Sequence, residues 1–287
     1  MKKILVTGGS GFIGSYVVDN LIEKGFTPVI FDHKNKGHRP DVEIFLGDTR
    51  DFTAVSEAVA VCDGVIHLAG VLGTQETINE PRPAVETNIF GGLNIFQACR
   101  NYGKKCVYIA VGNHWMNNSY SISKTTAERF ALMFNKEHGT KIAIVRGLNA
   151  YGPRQKSEPV RKIMPNFVIP ALKGEEITVY GDGSQVMDMI YVADLAEILV
   201  RALTEDHGVY DRVFEAGTGR DTTVKQIAEE VIKQVGTGSL NFVPMRPGEP
   251  EKSVVLGNPE TLKPLGDIQL TTLEEGVAKT ILWYRGL

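Results

Sequence analysis

Cysteine is scarce in this chain: three residues, Cys62, Cys99 and Cys106, among 287. The count is odd and no CxxC spacing occurs, which argues against a disulfide framework and against a zinc site; reduced thiols in a cytoplasmic protein are expected. Net charge is nearly absent too, since 31 basic and 34 acidic side chains leave -3 at pH 7. Without a basic field, nucleic acid and anionic membranes are not expected partners, and any anion must be caught by a local pocket. Long apolar runs are also missing. Lys2-Lys3 followed by apolar residues imitates a signal peptide, but Asp19 and Glu23 interrupt the pattern, so neither a secretory leader nor a membrane span is expected.

What is present is an ordinary globular composition, 43% hydrophobic and 23% charged, in a chain long enough to bury a substantial core. Short β-branched runs near 3–7, 27–32, 42–47, 63–69, 105–111 and 141–148 alternate with amphipathic stretches near 12–24, 52–60, 81–101 and 119–138. That rhythm predicts an α/β fold with a doubly wound, Rossmann-type parallel sheet. Beyond residue 149 prolines break the rhythm, while 188–216 reads as a strand, helix and strand returning to the main sheet. The expected division is therefore a dinucleotide-binding domain of 1–148 plus 188–216 and a smaller, discontinuous C-terminal substrate lobe of 149–187 plus 217–287.

The first strand runs into Thr7-Gly8-Gly9-Ser10-Gly11-Phe12-Ile13-Gly14 and then into an amphipathic helix. Glycines 8, 11 and 14 permit a tight turn, close approach to a pyrophosphate and tight helix–strand contact, and the helix start supplies free N–H groups. Asp32 ends the second strand, where a carboxylate can accept from both ribose hydroxyls and repel a 2′-phosphate; NAD is expected rather than NADP. Lys34, Lys36 and Arg39 follow it as an exposed basic loop. Asp48 and His67-Leu68-Ala69-Gly70 close the third and fourth strands at the same carboxyl edge; Asp48 is expected near adenine and His67 is read as structural.

Tyr120 and Lys124 stand at i and i+4 near a helix start, so their side chains share one face. A neighbouring ammonium and a cationic nicotinamide are expected to lower the phenol from its usual value of about 10 toward neutrality.

The ordered series TGGSGFIG at 7–14, GDTRD at 47–51, HLAG at 67–70, ETN at 86–88, YSISK at 120–124, NAYGPRQ at 149–155, VYGDGSQ at 179–185 and RPGE at 246–249 resembles the extended short-chain dehydrogenase/reductase family, in its NAD-dependent epimerase/dehydratase branch. The resemblance implies an enzyme in which Phe12, Ile13, Asp48, Thr49, Leu68, Ala69, Gly70 and Asn88 join the three glycines and Asp32 in holding NAD. It implies that Tyr120 takes a sugar hydroxyl proton as hydride leaves for NAD, while Lys124 binds the nicotinamide ribose. Thr74, Asn149, Lys162 and Arg246 are the expected contacts of a nucleotide-sugar substrate, and a homodimer is expected through the helices near 81–101 and 119–138.

Several positions depart from the family pattern. Gly112 stands where relatives carry a Ser or Thr that shares the sugar oxygen with the tyrosine; Asn113, His114, Ser119 and Ser121 are the candidate replacements. Asn113 and His114 also occupy the places of the Asp-Glu pair that dehydration needs. The loop before Tyr120 is short, Met187 replaces a phosphate-binding Arg, and Lys162 replaces an Asn, making Arg161 and Lys162 candidate phosphate contacts. The expected activity is epimerisation, at C4 of a UDP-hexose or related sugar nucleotide. A dehydratase, decarboxylase or keto-sugar reductase of the same family is the alternative, and a catalytically degenerate NAD-binding sensor is the alternative of another class.

Overall fold

The computed structural model describes residues 2–160, 162–246, 250 and 252–286. Seven parallel strands form the central sheet in the order β11-β6-β5-β4-β1-β2-β3. They are β1 (Lys3–Thr7), β2 (Thr27–Asp32), β3 (Ile44–Leu46), β4 (Gly64–His67), β5 (Lys105–Val111), β6 (Ile142–Gly147) and β11 (Val213–Ala216). The chain starts in the middle, winds outward through β2 to β3, and crosses back to place β4 on the other side of β1. That reversal opens a crevice above the carboxyl ends of β1 and β4, where ligands of such sheets bind.

The period-2 alternation of the strands builds two cores. Ile4, Val6, Ile66, Val107 and Val145 face one way, against α1 (Phe12–Glu23) and α7 (Val192–Thr204). Leu5, Val65, Tyr108 and Ile144 face the other way, against α2 (Phe52–Ala60), α4 (Gly91–Tyr102) and α5 (Ser119–His138). Each fully buried Val, Ile or Leu contributes on the order of 1.5–3 kcal/mol, so it is the alternation that fixes which face each strand shows. α4 continues a helix that begins with a single turn, α3 (Arg82–Ala84), and passes through a π-helical segment, Val85–Phe90.

A third core, containing Tyr151, Phe167, Val179, Ile227 and Ile281, lies among elements beyond residue 149. They are β7 (Asn149–Tyr151), α6 (Ile163–Leu172), β8 (Glu176–Tyr180), β9 (Val186–Met187), β10 (Met189–Tyr191), α8 (Val224–Val235), β12 (Ser239–Val243), β13 (Val254–Val255) and α9 (Leu273–Arg285). The expectation for 188–216 needs correcting here. Its second strand, β11, joins the central sheet beside β6, but its first, β10, pairs with β7 in a separate two-stranded ladder. The cause is Asp188, whose backbone carbonyl accepts from the Asn149 amide and holds β10 alongside the stretch that continues β6.

Candidate active site

One cleft of about 1030 Å³ runs from the β1–α1 turn, across the ends of β5 and β6, to β8, β9 and β13. That volume is at the top of the range for ligand pockets, about 300–1,000 Å³, and suits two ligands laid end to end.

The β1–α1 turn lines one end with Gly8, Gly11, Phe12, Ile13 and Gly14. A Cβ at Gly14 would overlap the Gly8 carbonyl oxygen and stand 2.7 Å from the Gly9 Cα, so the turn closes on the helix only with glycine there. Asp32 is buried at the end of β2; its carboxylate accepts the Ser10 N–H at 3.2 Å and the Lys34 N–H at 3.1 Å. Of the basic residues near it, Arg39 is committed to Asp41 at 2.8 Å and to Asp19 at 3.5 Å, while Lys36 is exposed. Asp48 and Thr49 also line this end. Hydrogen bonds from the Arg50 guanidinium, the shortest 2.6 Å, hold the Asp48 carboxyl below its ordinary range. Arg50 lines the cleft as well and was not singled out from the sequence, although it stands two residues from Asp48 in the GDTRD motif.

The opposite wall, Leu68, Ala69 and Gly70, follows β4. Thr7 Oγ1 accepts the Leu68 and Ala69 N–H groups and shares a hydrogen bond with His67 Nδ1 at 2.7 Å. His67 is buried against Tyr108 and Phe96, and burial pushes its imidazole down to about 3, consistent with a structural histidine. Asn88 is buried behind this wall. Its amide donates to the Val71 carbonyl at 3.0 Å and to Ser123 Oγ at 2.9 Å and accepts the Val71 N–H at 2.8 Å, so it fixes the 68–71 loop against α5. The π-helical segment that carries Asn88 gives no periodicity signal for this role.

Tyr120 and Lys124 both line the middle of the cleft from the first turns of α5. Asn118 caps this helix by accepting the Ser121 N–H at 2.9 Å. Tyr108 donates to the Lys124 carbonyl at 3.0 Å, and the ammonium lies 4.2 Å from the Tyr108 ring centroid. Tyr120 is half-buried, and without NAD desolvation pushes its phenol up to about 12. Burial likewise pushes Lys124 down to about 7, opposed by the charge of Glu128 one turn on. Glu128 is itself held by Arg146 at 2.6 and 2.9 Å, and Arg146 reaches Glu215 at 3.3 Å. In the ligand-free protein both groups are thus biased toward their neutral forms, because burial penalises the charged form of each.

Gly112 and Asn113 line the cleft beside them, and Asn113 Nδ2 is 3.4 Å from Met116 Sδ. His114 does not turn inward. Its Nδ1 lies 3.2 Å from the Gly112 carbonyl and its ring lines a separate, smaller cavity with Trp115, Arg146 and Glu215. Ser119 and Ser121 are also absent from the cleft wall. A Cβ at Gly112 would overlap Leu148 Cδ1 and stand 3.4 Å from Val255 Cγ1, so an aliphatic side chain occupies the place of the expected hydroxyl.

Thr74, Asn149, Lys162 and Arg246 all line the same cleft. Asn149 donates to the Asp188 carbonyl at 3.1 Å, and the Arg246 guanidinium stacks 4.7 Å from the Tyr180 ring centroid. Arg161 and residues 247–249 of the RPGE stretch lie outside the described residues. Among the described residues no group of His, Cys, Asp and Glu is arranged to hold a metal ion.

Comparison with known proteins gives this geometry a context. A family model described as "NAD dependent epimerase/dehydratase family" matches residues 4–217. A UDP-N-acetyl-alpha-D-glucosaminuronate decarboxylase of Bacillus cytotoxicus is 29% identical, with 99% of this chain and 98% of the relative covered. The UDP-glucose 4-epimerase of Thermotoga maritima, solved with UDP-glucose, superposes with a TM-score of 0.90 at 29% identity and 99% coverage of both chains. That of Thermus thermophilus, solved with NAD, gives 0.86 at 28% identity, again with 99% of both chains covered.

Proposed function

From the premise that the chain belongs to the NAD-dependent epimerase/dehydratase family, we propose that it is a nucleotide-sugar epimerase, acting at C4 of a UDP-hexose or a related sugar nucleotide. The observation that carries the reading is the meeting of Tyr120 and Lys124 in one cleft with a glycine cradle and with Asn149, Lys162 and Arg246. The cradle passes its test for a dinucleotide: backbone closes on backbone at Gly14, and a buried carboxylate stands at the end of β2. NAD, when bound, supplies the hydride acceptor and donor. Asp32 fits the ribose hydroxyls of NAD better than the 2′-phosphate of NADP, since the phosphate would set a second negative charge against its carboxylate.

Within that arrangement Lys124 would hold the nicotinamide ribose and favour the Tyr120 phenolate, which would take the proton of a sugar hydroxyl and later return it. Arg246 offers a planar fork, and Lys162 a point charge, to a diphosphate. Loss of water is disfavoured, because the cleft wall beside Gly112 presents an amide, Asn113, and no carboxylate pair, while His114 faces away. Epimerisation requires none of these. The assay is a panel of UDP-sugars incubated with the protein as purified: product mass equal to substrate mass with no net NADH formed is the expected result. A Tyr120→Phe variant is expected to retain NAD and lose at least 100-fold in turnover. A change of product mass, or full turnover by the variant, overturns the assignment.

The same reading includes a division into an NAD-binding part, 1–148 plus 188–216, and a substrate lobe, 149–187 plus 217–287. It also includes a homodimer and a cytoplasmic location. Val85, Phe90 and Ile122 are exposed on the helical face from 82 to 102 and on α5, and pairing them with a second copy would cover them. Light scattering tests this: a monomer mass overturns it. The three cysteines are free and buried, which suits a reducing compartment. No helix among the described residues is long and apolar enough to cross a membrane.

A further inference from the structure

We infer that the sugar end of the cleft selects a nucleotide sugar whose ring carries a methyl-bearing substituent, either the C6 methyl of a 6-deoxyhexose or the acetyl methyl of an acetamido sugar, over a fully hydroxylated hexose. The inference rests on the nucleotide-sugar reading above and deepens it. Its basis is a set of apolar side chains that line the cleft, Met116, Leu148, Met187 and Val255, of which Leu148 and Val255 close over the bare backbone of Gly112. Leu148 fills the volume that a side chain at 112 would need, with its Cγ 3.3 Å from that Cβ position and Val255 Cγ1 3.4 Å from it on the other side. Val255 pairs in register with Met187 across β13 and β9.

The wall is rigid. The fully buried Asp188 carboxylate accepts from Thr218 N and Oγ1 at 2.8 and 2.7 Å, from Gly219 N at 2.9 Å and from Gly257 N at 3.1 Å, tying the end of β11 to the segment after β13. Leu148 packs into that knot, 3.2 Å and 3.0 Å from the Cβ positions of Gly257 and Gly217. A sugar hydroxyl set against the side chains of Leu148, Met187 and Val255 loses water and finds no donor or acceptor on them, whereas a methyl group loses nothing. An apolar pocket discriminates against an added hydroxyl by roughly 10- to 100-fold, and that is the expected preference.

The test measures both binding, by calorimetry on the NAD-loaded protein, and kcat/KM. The ligands are glucose, 6-deoxyglucose and N-acetylglucosamine, each as the UDP and the TDP derivative. The 6-deoxy and acetamido arms identify the source of the methyl group, and about 10-fold or greater preference for either over glucose is the expected result. Comparable or better handling of glucose overturns the inference, as does failure of all six to bind. Tighter binding of a methyl-bearing sugar without turnover supports the inference while sinking the epimerase reading, so the two fail separately. In the double variant Gly112→Ser/Leu148→Ala, where the hydroxyl gains room, the preference is expected to fall to within about 3-fold; an unchanged ratio in a folded, NAD-loaded double variant also overturns it.

Discussion

Replacing Gly14 with alanine sets two effects of known size against each other. The residue is the third of α1, where alanine is favoured over glycine by about 0.8–1 kcal/mol of helix propensity. The new methyl would overlap the Gly8 carbonyl oxygen and sit 2.7 Å from the Gly9 Cα, and both neighbours are backbone, without a rotamer to yield. Relief requires the helix to retreat from the turn by roughly 1 Å, an overpacking cost of about 1–3 kcal/mol. The net loss of stability is therefore small, about 0–2 kcal/mol, or up to roughly 8 °C in Tm at about 2–4 °C per kcal/mol. The loss of cofactor is larger. The same retreat withdraws N–H groups of the α1 start from a pyrophosphate, and a hydrogen bond to a charged group is worth about 1.5–3 kcal/mol, so Kd for NAD should rise about 10- to 150-fold. Calorimetric titration of NAD into stripped protein measures it. Thermal scans with and without NAD check it independently, since the ligand-induced rise in Tm follows the logarithm of its concentration over Kd. A Gly14→Ala protein that binds NAD as tightly as the wild type would refute the reasoning, whatever its Tm.

Three further outcomes follow from the charges around α5. In stripped protein, the wild-type minus Tyr120→Phe ultraviolet difference should show no phenolate step below about pH 10, and adding NAD should move that step downward; an unmoved step contradicts the assignment of the base. Lys124→Met should stabilise the protein. Because Lys124 is pushed down to about 7 in the fold, its penalty grows as pH falls from its unfolded value of about 10.4 and levels off below 7. Denaturant unfolding should accordingly show a larger gain at pH 7 than at pH 9, and a gain that increases with pH refutes the sign. Glu128→Gln leaves Arg146 mostly buried with only Glu215, 3.3 Å away, and should cost about 3 kcal/mol, read from denaturant midpoints; a loss under about 1 kcal/mol would mean that the pair is spectator charge.

Much of the cofactor end was legible because its signals are local. A strand, a glycine turn and a helix occur in sequence within 3–23, and the carboxylate of Asp32 ends the next strand, so no long-range contact is needed to infer them. The same holds for Tyr120 and Lys124, which share a face by helical period alone. What was not legible depends on where side chains turn after packing. His114 follows Asn113 by one residue, yet the first lines the small outer cavity and the second the cleft. Asn88 spends its amide on Val71 and Ser123, partners 17 and 35 residues away. An i, i+4 spacing states proximity but not desolvation, and without the nicotinamide desolvation dominates at both buried groups.

The Glu128–Arg146–Glu215 series links Lys124 to the sheet edge as one electrostatic unit. Lys124 and Glu128 are successive turns of α5, Arg146 belongs to β6, and Glu215 belongs to the edge strand β11, where it also accepts the Asn258 N–H at 2.9 Å. Each charge is more than half buried, so each is tolerable only because the next one is present. Glu128 and Glu215 both stabilise the guanidinium they share, and Glu128 also stabilises the Lys124 ammonium. The edge of the sheet thereby bears on the cleft through Arg146 and Glu128, without any residue of that edge having to touch a ligand.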